Sequence, residues 1–219
     1  MRKLLLFVPL LLVAASAFAQ GWQVVNVPTG DNFTGVDFIS PTTGFASSSG
    51  GEIARTLDGG KTWSLRRVAF DTPLEDVSFA DPKLGLACGR YGALYRTIDG
   101  GETWTDVSPV KGDSSQHFYS VELFDNLTGL VIGLDRKSEN PYGSMGYRTT
   151  DGGKTWKKLE PMGMGYSEIF YSPDAGVAFP TLGQLLRSSD KGKTWQRLQA
   201  ISDGVARDLA ILGEVVLVA

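Results

Sequence analysis

The sequence predicts an all-β fold, a β-propeller of four-stranded blades, and three observations lead to this fold class. One nine-residue phrase occurs four times, each copy lies within a larger unit of four short apolar stretches, and the units recur every 40 to 48 residues. A period of this length with four strands per repeat is typical of propeller blades. No segment beyond the N-terminus shows a convincing apolar period of 3.6 residues, so we expect almost no helix.

The repeated phrase has the form Arg-Thr-x-Asp-Gly-Gly-x-Thr-Trp. It accounts for four of the five Trp residues of the chain. Its Asp and Trp positions are Asp58 and Trp63, Asp99 and Trp104, Asp151 and Trp156, and Asp190 and Trp195.

Each phrase joins the third and fourth strands of its unit, where the chain must reverse tightly. Asp-Gly-Gly tolerates the positive φ angles that such a turn needs, and the Asp carboxylate can accept hydrogen bonds from its own turn. The Trp then packs onto the blade. We therefore interpret these Asp and Trp residues as structural. Calcium binding is the alternative for the carboxylates, but the phrase lacks the several spaced acidic residues of a calcium loop.

The units define the expected blades. First strands begin near positions 36, 77, 121, 169 and 209, which gives about 4.5 blades. The predicted limits are residues 36–68, 77–107, 121–159 and 169–198, followed by a partial blade at 208–219 that strand 22–27 would close.

The N-terminus resembles a secretory signal peptide. Arg2 and Lys3 precede an apolar run, and Ala17-Phe18-Ala19 forms a small-residue cleavage site, so residues 1–19 would be removed before Gln20. The run is too short for a membrane span. We expect an exported protein, periplasmic or extracellular, with no transmembrane helix after cleavage.

Composition excludes several functions. The 219 residues include 27 Gly, about 12% against roughly 7% in an average protein, but a single Cys and a single His. These counts argue against a disulfide framework and the common zinc centres, so we expect no metal and no cofactor. Cys88 is expected to be buried and unreactive. The acidic balance argues against nucleic-acid binding. The mature protein is expected to be monomeric.

The phrase resembles the Asp box, or bacterial neuraminidase repeat, of secreted propellers. The fuller form at residues 51–63 and 92–104 resembles the photosystem II stability and assembly factor family. This resemblance implies a seven-bladed propeller that acts as a non-catalytic scaffold, with an arginine-rich surface that contacts a partner protein. The blade count then indicates an incomplete ring, or alternatively a five-bladed ring with a defective last blade.

Two insertions interrupt the repeat around blade 3. They cover residues 111–117 and 135–142, and in a four-stranded meander both would lie on the face opposite the Asp boxes. We expect a protein partner or envelope component to bind there, although variable solvated loops are the plainer interpretation. The candidate contacts are Arg90, Tyr91, His117, Tyr119, Arg136 and Tyr142. His117 is otherwise expected to be solvated on a polar loop.

The alternative function is a sialidase-like exo-glycosidase acting on surface glycans. Carboxylates just before the first strands, Asp76, Glu168 and Asp208, are weak catalytic candidates for it. Four arginines recur on the third strands, but we interpret them as repeat architecture or a basic partner patch rather than a substrate cluster. They are Arg55, Arg96, Arg148 and Arg187.

Overall fold

The computed structural model describes residue 25 and residues 27–137, 144–160, 169–173, 176–181, 184–198, 209–212 and 215–218. These parts of the chain contain strands and no helix. The predicted signal peptide, most of the predicted closing strand 22–27, and the candidates Tyr142, Glu168 and Asp208 lie outside the described residues.

The strands form four antiparallel sheets of four strands and one sheet of two strands, each sheet following the chain order. Blade 1 contains β1 Phe33–Phe38, β2 Gly44–Ser48, β3 Glu52–Thr56 and β4 Ser64–Arg67. Blade 2 contains β5 Leu74–Phe79, β6 Gly85–Gly89, β7 Leu94–Thr97 and β8 Thr105–Asp106. Blade 3 contains β9 Gln116–Leu123, β10 Gly129–Asp135, β11 Ser144–Thr149 and β12 Lys157–Lys158. Blade 4 contains β13 Phe170–Ser172, β14 Gly176–Thr181, β15 Gln184–Ser188 and β16 Gln196–Leu198, and β17 Leu209–Leu212 pairs with β18 Val215–Val218 in the last sheet. The all-β propeller prediction is confirmed, as a partial ring.

The hydrophobic core lies between adjacent blades. Between blades 1 and 2, Phe45 of β2 and Phe79 of β5 stack with ring centroids 3.5 Å apart. Between blades 2 and 3, Leu86 packs with Val121 and Tyr147. The second strands β2 and β6 are buried at every residue, in keeping with the many small side chains of both strands. Full burial of a side chain such as Phe45 stabilises the fold by roughly 1.5–3 kcal/mol.

The first strands also join the blades through hydrogen bonds. The backbone N–H of Phe79 donates to Asp37 at 2.7 Å, and burial raises the pKa of that carboxyl group. The N–H of Leu123 donates to the Ser78 hydroxyl at 3.0 Å. These hydrogen bonds therefore fix the position of the first strand of one blade relative to the first strand of the next.

Blade 1 is uncovered on the face that would adjoin a preceding blade. Val36 is 65% exposed, whereas Val77 and Val121 at the matching positions are 2% and 1% exposed. Val36 of β1 is therefore exposed at the position where β5 and β9 are buried against the preceding blade.

Candidate partner-binding site

The Asp boxes form closed hydrogen-bond networks at one end of the blades. In blade 1, the Thr56 hydroxyl donates to Asp58 at 2.8 Å and accepts from the Gly60 N–H at 2.8 Å. The other carboxylate oxygen of Asp58 accepts from the Thr62 hydroxyl at 2.6 Å, and the Trp63 indole donates to the Gly60 carbonyl. The carboxylate network recurs around Asp99, Asp151 and Asp190.

These bonds stabilise the charged carboxylates. Hydrogen bonds from Thr62 and Thr103 lower the pKa of Asp58 and of Asp99 to about 2. Both oxygens of each carboxylate are therefore used within its own turn.

The fourth turn differs from the others at one position. Lys191 adopts φ 55° where the other copies have their first glycine, and its ammonium group pairs with Asp125 at 2.5 Å.

The recurring arginines reach the Asp box of the following blade. Arg96 donates from Nε to the Gly152 carbonyl, and Arg148 donates to the Lys191 carbonyl at 2.8 Å. Arg55 instead pairs with Glu102 at 3.0 Å. Arg187 also has an interaction partner. The first three arginines thus connect neighbouring blades.

Asp76, one of the weak catalytic candidates, lies inside β5 and is bonded to the next blade. One carboxylate oxygen accepts from the Ser120 hydroxyl at 2.9 Å and from the Val121 N–H at 3.0 Å, and the other accepts from the Val77 N–H. This carboxylate therefore holds two first strands together.

At the opposite end of the blades the two insertions meet. The N–H of Arg136 donates to the Ser115 carbonyl at 3.0 Å, and Lys137 pairs with Asp113 at 3.0 Å. Blade 3 is extended here, because β9 has eight residues and β10 has seven, against six and five for β5 and β6. The extension carries His117 into a β-bridge with Arg90 of blade 2.

A small cleft of about 50 Å³ opens where blades 2 and 3 meet. Four of the sequence candidates lie in its wall, and Tyr119 stacks on His117 with centroids 4.2 Å apart. The lining residues are Arg90, Tyr91, Ser114, Gln116, His117 and Arg136.

Glu75 connects two residues of the cleft wall, Arg90 and His117. Its Oε1 atom accepts from Arg90 Nε at 2.9 Å and lies 3.1 Å from His117 Nε2. Glu75 falls at an irregular position in the β5–β6 ladder, between Leu74 and Asp76, and Tyr119 falls at the corresponding irregularity of β9. Bulges of this kind redirect side chains and are common beside functional sites.

The expectation of a solvated His117 is wrong. The residue lies on β9 and is 6% exposed, because Tyr119 and Glu75 cover the ring. Burial lowers the pKa of His117, the hydrogen bond and charge of Glu75 oppose this, and the charges of Arg90 and Arg136 lower it further. His117 is therefore neutral at neutral pH and can donate from Nε2 to the Glu75 carboxylate.

Tyr91, in the wall of the cleft, has a strained backbone. It has φ 59° and is 52% exposed, although glycine and asparagine are the residues that favour this conformation. The loop between β4 and β5 also contains a positive φ, 53° at Asp71. The Arg90 N–H connects the cleft to this loop by donating to the Pro73 carbonyl at 3.0 Å. Backbone strain retained at an exposed surface is a feature of functional sites.

Sequence reasoning missed Glu75, Ser114 and Gln116 as parts of this site. The acidic pair before Val77 is the available signal for Glu75, although the sequence alone favours its second member, Asp76, as the candidate. Gln116 and Ser114 belong to the insertion itself, and nothing in the sequence distinguishes them from other polar loop residues.

Two other features are absent from the described part of the chain. No helix there is long and apolar enough to cross a membrane. Nor is any group of three or more His, Cys, Asp or Glu side chains among those residues placed to hold a metal ion.

Solved structures resemble this fold over most of its length. A structure of YCF48 bound to D1 peptide matches with a TM-score of 0.64 and 20% identity, over 84% of this chain and 60% of that one. YCF48 from Cyanidioschyzon merolae matches with a TM-score of 0.62 and 18% identity, over 86% and 62% of the two chains. An ancestral GH74 enzyme matches with a TM-score of 0.61 and 14% identity, over 86% and 26%. The chain thus spans about 60% of the length of the YCF48 structures. At these identities the matches establish the fold alone.

The sequence itself gives the family. No curated protein matches it significantly. The family profile described as photosynthesis system II assembly factor YCF48 matches residues 14–75 and 68–162, which together are more than half of the chain. The expected resemblance is confirmed: the chain belongs to the YCF48 photosystem II assembly factor family.

Proposed function

We propose that this chain is an exported, non-catalytic scaffold that binds a protein partner of the cell envelope at the cleft between blades 2 and 3. The observation that carries the proposal is the cleft itself. It is built where the sequence departs from the repeat, from the two insertions and from a strained turn. The described carboxylates and the connecting arginines of the repeat are instead bonded within the fold.

A polypeptide ligand is supported by the family and by one of its structural neighbours. The chain belongs to an assembly factor family, and the YCF48 structure with the higher TM-score holds a D1 peptide. Because this chain covers only about 60% of that structure and is 20% identical to it, we do not propose the same peptide here.

The bonding of Asp76 argues against the glycosidase alternative. Asp76, the one candidate acid among the described residues, already accepts hydrogen bonds from Ser120 and from the backbone of Val121. A general acid or nucleophile must instead present its oxygen to the substrate.

Site-specific photo-cross-linking in the source cells tests the binding face. A photoreactive phenylalanine derivative replaces Tyr91 at the cleft or, as a matched control, Ile98 on the Asp-box turn, which is 61% exposed. We expect a specific protein adduct from position 91 and none from position 98. An absence of adducts at position 91, or the same adducts at both positions, would overturn the proposed binding face.

Export has its own test. We propose that cleavage follows Ala19, so that the mature chain begins at Gln20. Intact-mass measurement of the protein from periplasmic and extracellular fractions should give this N-terminus. A protein that keeps residues 1–19 and stays in the cytosol would contradict export while leaving the binding face untouched.

A further inference from the structure

We propose that the cleft recognises an acidic side chain of the bound polypeptide, with Arg90 and Arg136 holding the carboxylate and exposed Tyr91 holding an apolar neighbour. This inference rests on the proposed function and specifies the chemistry of the bound segment. It concerns the insertion end of the blades, away from the arginines that connect the Asp boxes.

Arg90 and Arg136 each have guanidinium N–H donors that no described residue binds. Arg90 uses Nε to bind Glu75, which fixes the guanidinium plane, and no described residue takes its terminal amino groups. Arg136 is held by its backbone N–H, and among the described residues its guanidinium has no acceptor. Guanidinium groups with free donors are the side chains best suited to bind a carboxylate.

The charge of the cleft wall favours an anion. Its described lining includes two arginines and no carboxylate, and buried His117 contributes no charge at neutral pH. The nearby carboxylates are bonded to lining residues, because Glu75 accepts from Arg90 and Asp135 accepts from Gln116. Lys137 and Asp113, at the edge of the insertion, pair with each other. The described wall of the cleft therefore presents guanidinium groups to a ligand.

The cleft is small, with a volume of about 50 Å³. Tyr91 in its wall is 52% exposed and offers an aromatic ring that a free anion would not use. A peptide with an acidic residue next to an apolar one uses both the arginines and this ring.

Selection from a random dodecapeptide library displayed on phage tests this inference even while the partner protein is unidentified. We expect the protein to enrich peptides with Asp or Glu beside Leu, Ile, Val or an aromatic residue. Arg136→Gln should weaken binding of an enriched peptide about tenfold, the typical effect of losing a charge-assisted hydrogen bond. Arg197→Gln, which removes an equal charge from exposed β16, is the matched control and should bind as the unsubstituted protein does.

A double-mutant cycle separates direct contact from a general charge effect. Replacing the peptide's Asp or Glu by its amide should weaken binding to the unsubstituted protein about tenfold, but should have little further effect on Arg136→Gln. Fluorescence anisotropy of labelled peptides measures both steps, and Arg90→Gln provides a second variant of the same kind.

The outcomes distinguish this inference from the proposed function. Enrichment without acidic residues, or equal loss in the Arg136→Gln and Arg197→Gln variants, would overturn the acidic-peptide inference. If the position 91 cross-link nevertheless persisted, the binding face would stand and only its chemistry would be wrong.

Discussion

The two ends of the same blades differ in structure, because one end repeats a hydrogen-bond network and the other forms a single cleft. At the Asp-box end, the same network recurs in four blades, with hydroxyl-to-carboxylate distances of 2.8 Å from Thr56, Thr97, Thr149 and Ser188. At the other end, one cleft forms where two insertions of blade 3 meet a strained turn of blade 2. Similar residue types are therefore bonded within their own turn at one end and line a cleft at the other.

Two carboxylates illustrate this difference. Asp99 accepts bonds from Thr97 and Thr103 of its own turn, so its charge is used locally. Glu75 accepts from Arg90 and His117, which come from a different turn and a different blade. The first contact stabilises one hairpin, whereas the second joins exposed Arg90 of blade 2 to buried His117 of blade 3.

The largest effect is expected from Thr97→Val. The Thr97 side chain is 1% exposed, donates to Asp99 and accepts from the Gly101 N–H at 2.9 Å. The valine leaves that buried N–H without an acceptor, so we expect the free energy of unfolding to fall by about 1–3 kcal/mol in urea titrations. Thr105→Val, on exposed β8, should change it by less than about 0.5 kcal/mol. Equal losses in the two variants would mean that the Asp box is not the stabilising element.

A smaller loss is expected from Arg96→Gln. The Nε donor of Arg96 binds the Gly152 carbonyl of the next blade, so its removal weakens the contact between blades 2 and 3. We expect a loss of about 1 kcal/mol and faster amide hydrogen exchange in the Asp box of blade 3. Arg90→Gln, at the cleft end, should leave that exchange unchanged, because its partner Glu75 lies elsewhere. Faster exchange in both variants would show that the two ends are coupled.

The sequence was sufficient for the fold because the repeat encodes local chemistry. A nine-residue phrase contains the hydroxyl and amide donors that bind its own carboxylate, so spacing alone locates Asp58 and Trp63. The insertions likewise marked the end of the molecule that carries the cleft. The role of Glu75 could not be predicted in this way, because its partner His117 is 42 residues away and the contact depends on how two blades pack. The burial of His117 has the same origin, since Glu75 of the preceding blade helps to cover the ring.

The substitution Tyr91→Asn is expected to raise the stability of the protein and to weaken peptide binding. With φ 59°, this side chain occupies a region that asparagine tolerates better, so Tyr91→Asn should raise the free energy of unfolding by up to about 1 kcal/mol. The same substitution removes an exposed aromatic group and should weaken binding of an enriched peptide. Thermal melts and anisotropy on one preparation measure both effects. A variant that gains stability and keeps full binding would remove Tyr91 from the proposed site.

The smallest effect concerns the titration of His117, the single histidine of the chain. Burial lowers its pKa below the ordinary value of 6.5, so the neutral ring stabilises the fold above that pH and this contribution is lost as the pH falls toward the pKa of the folded protein. Glu75→Gln removes the interactions that raise the pKa and should lower it further, whereas Arg136→Gln should raise it. The Cε1 proton resonance of protein without a histidine tag reports each pKa, with Arg197→Gln as the unchanged control. A pKa at or above 6.5 would mean that the charge of Glu75 outweighs burial, and His117 would then not be the neutral donor to Glu75 that joins blade 3 to the cleft.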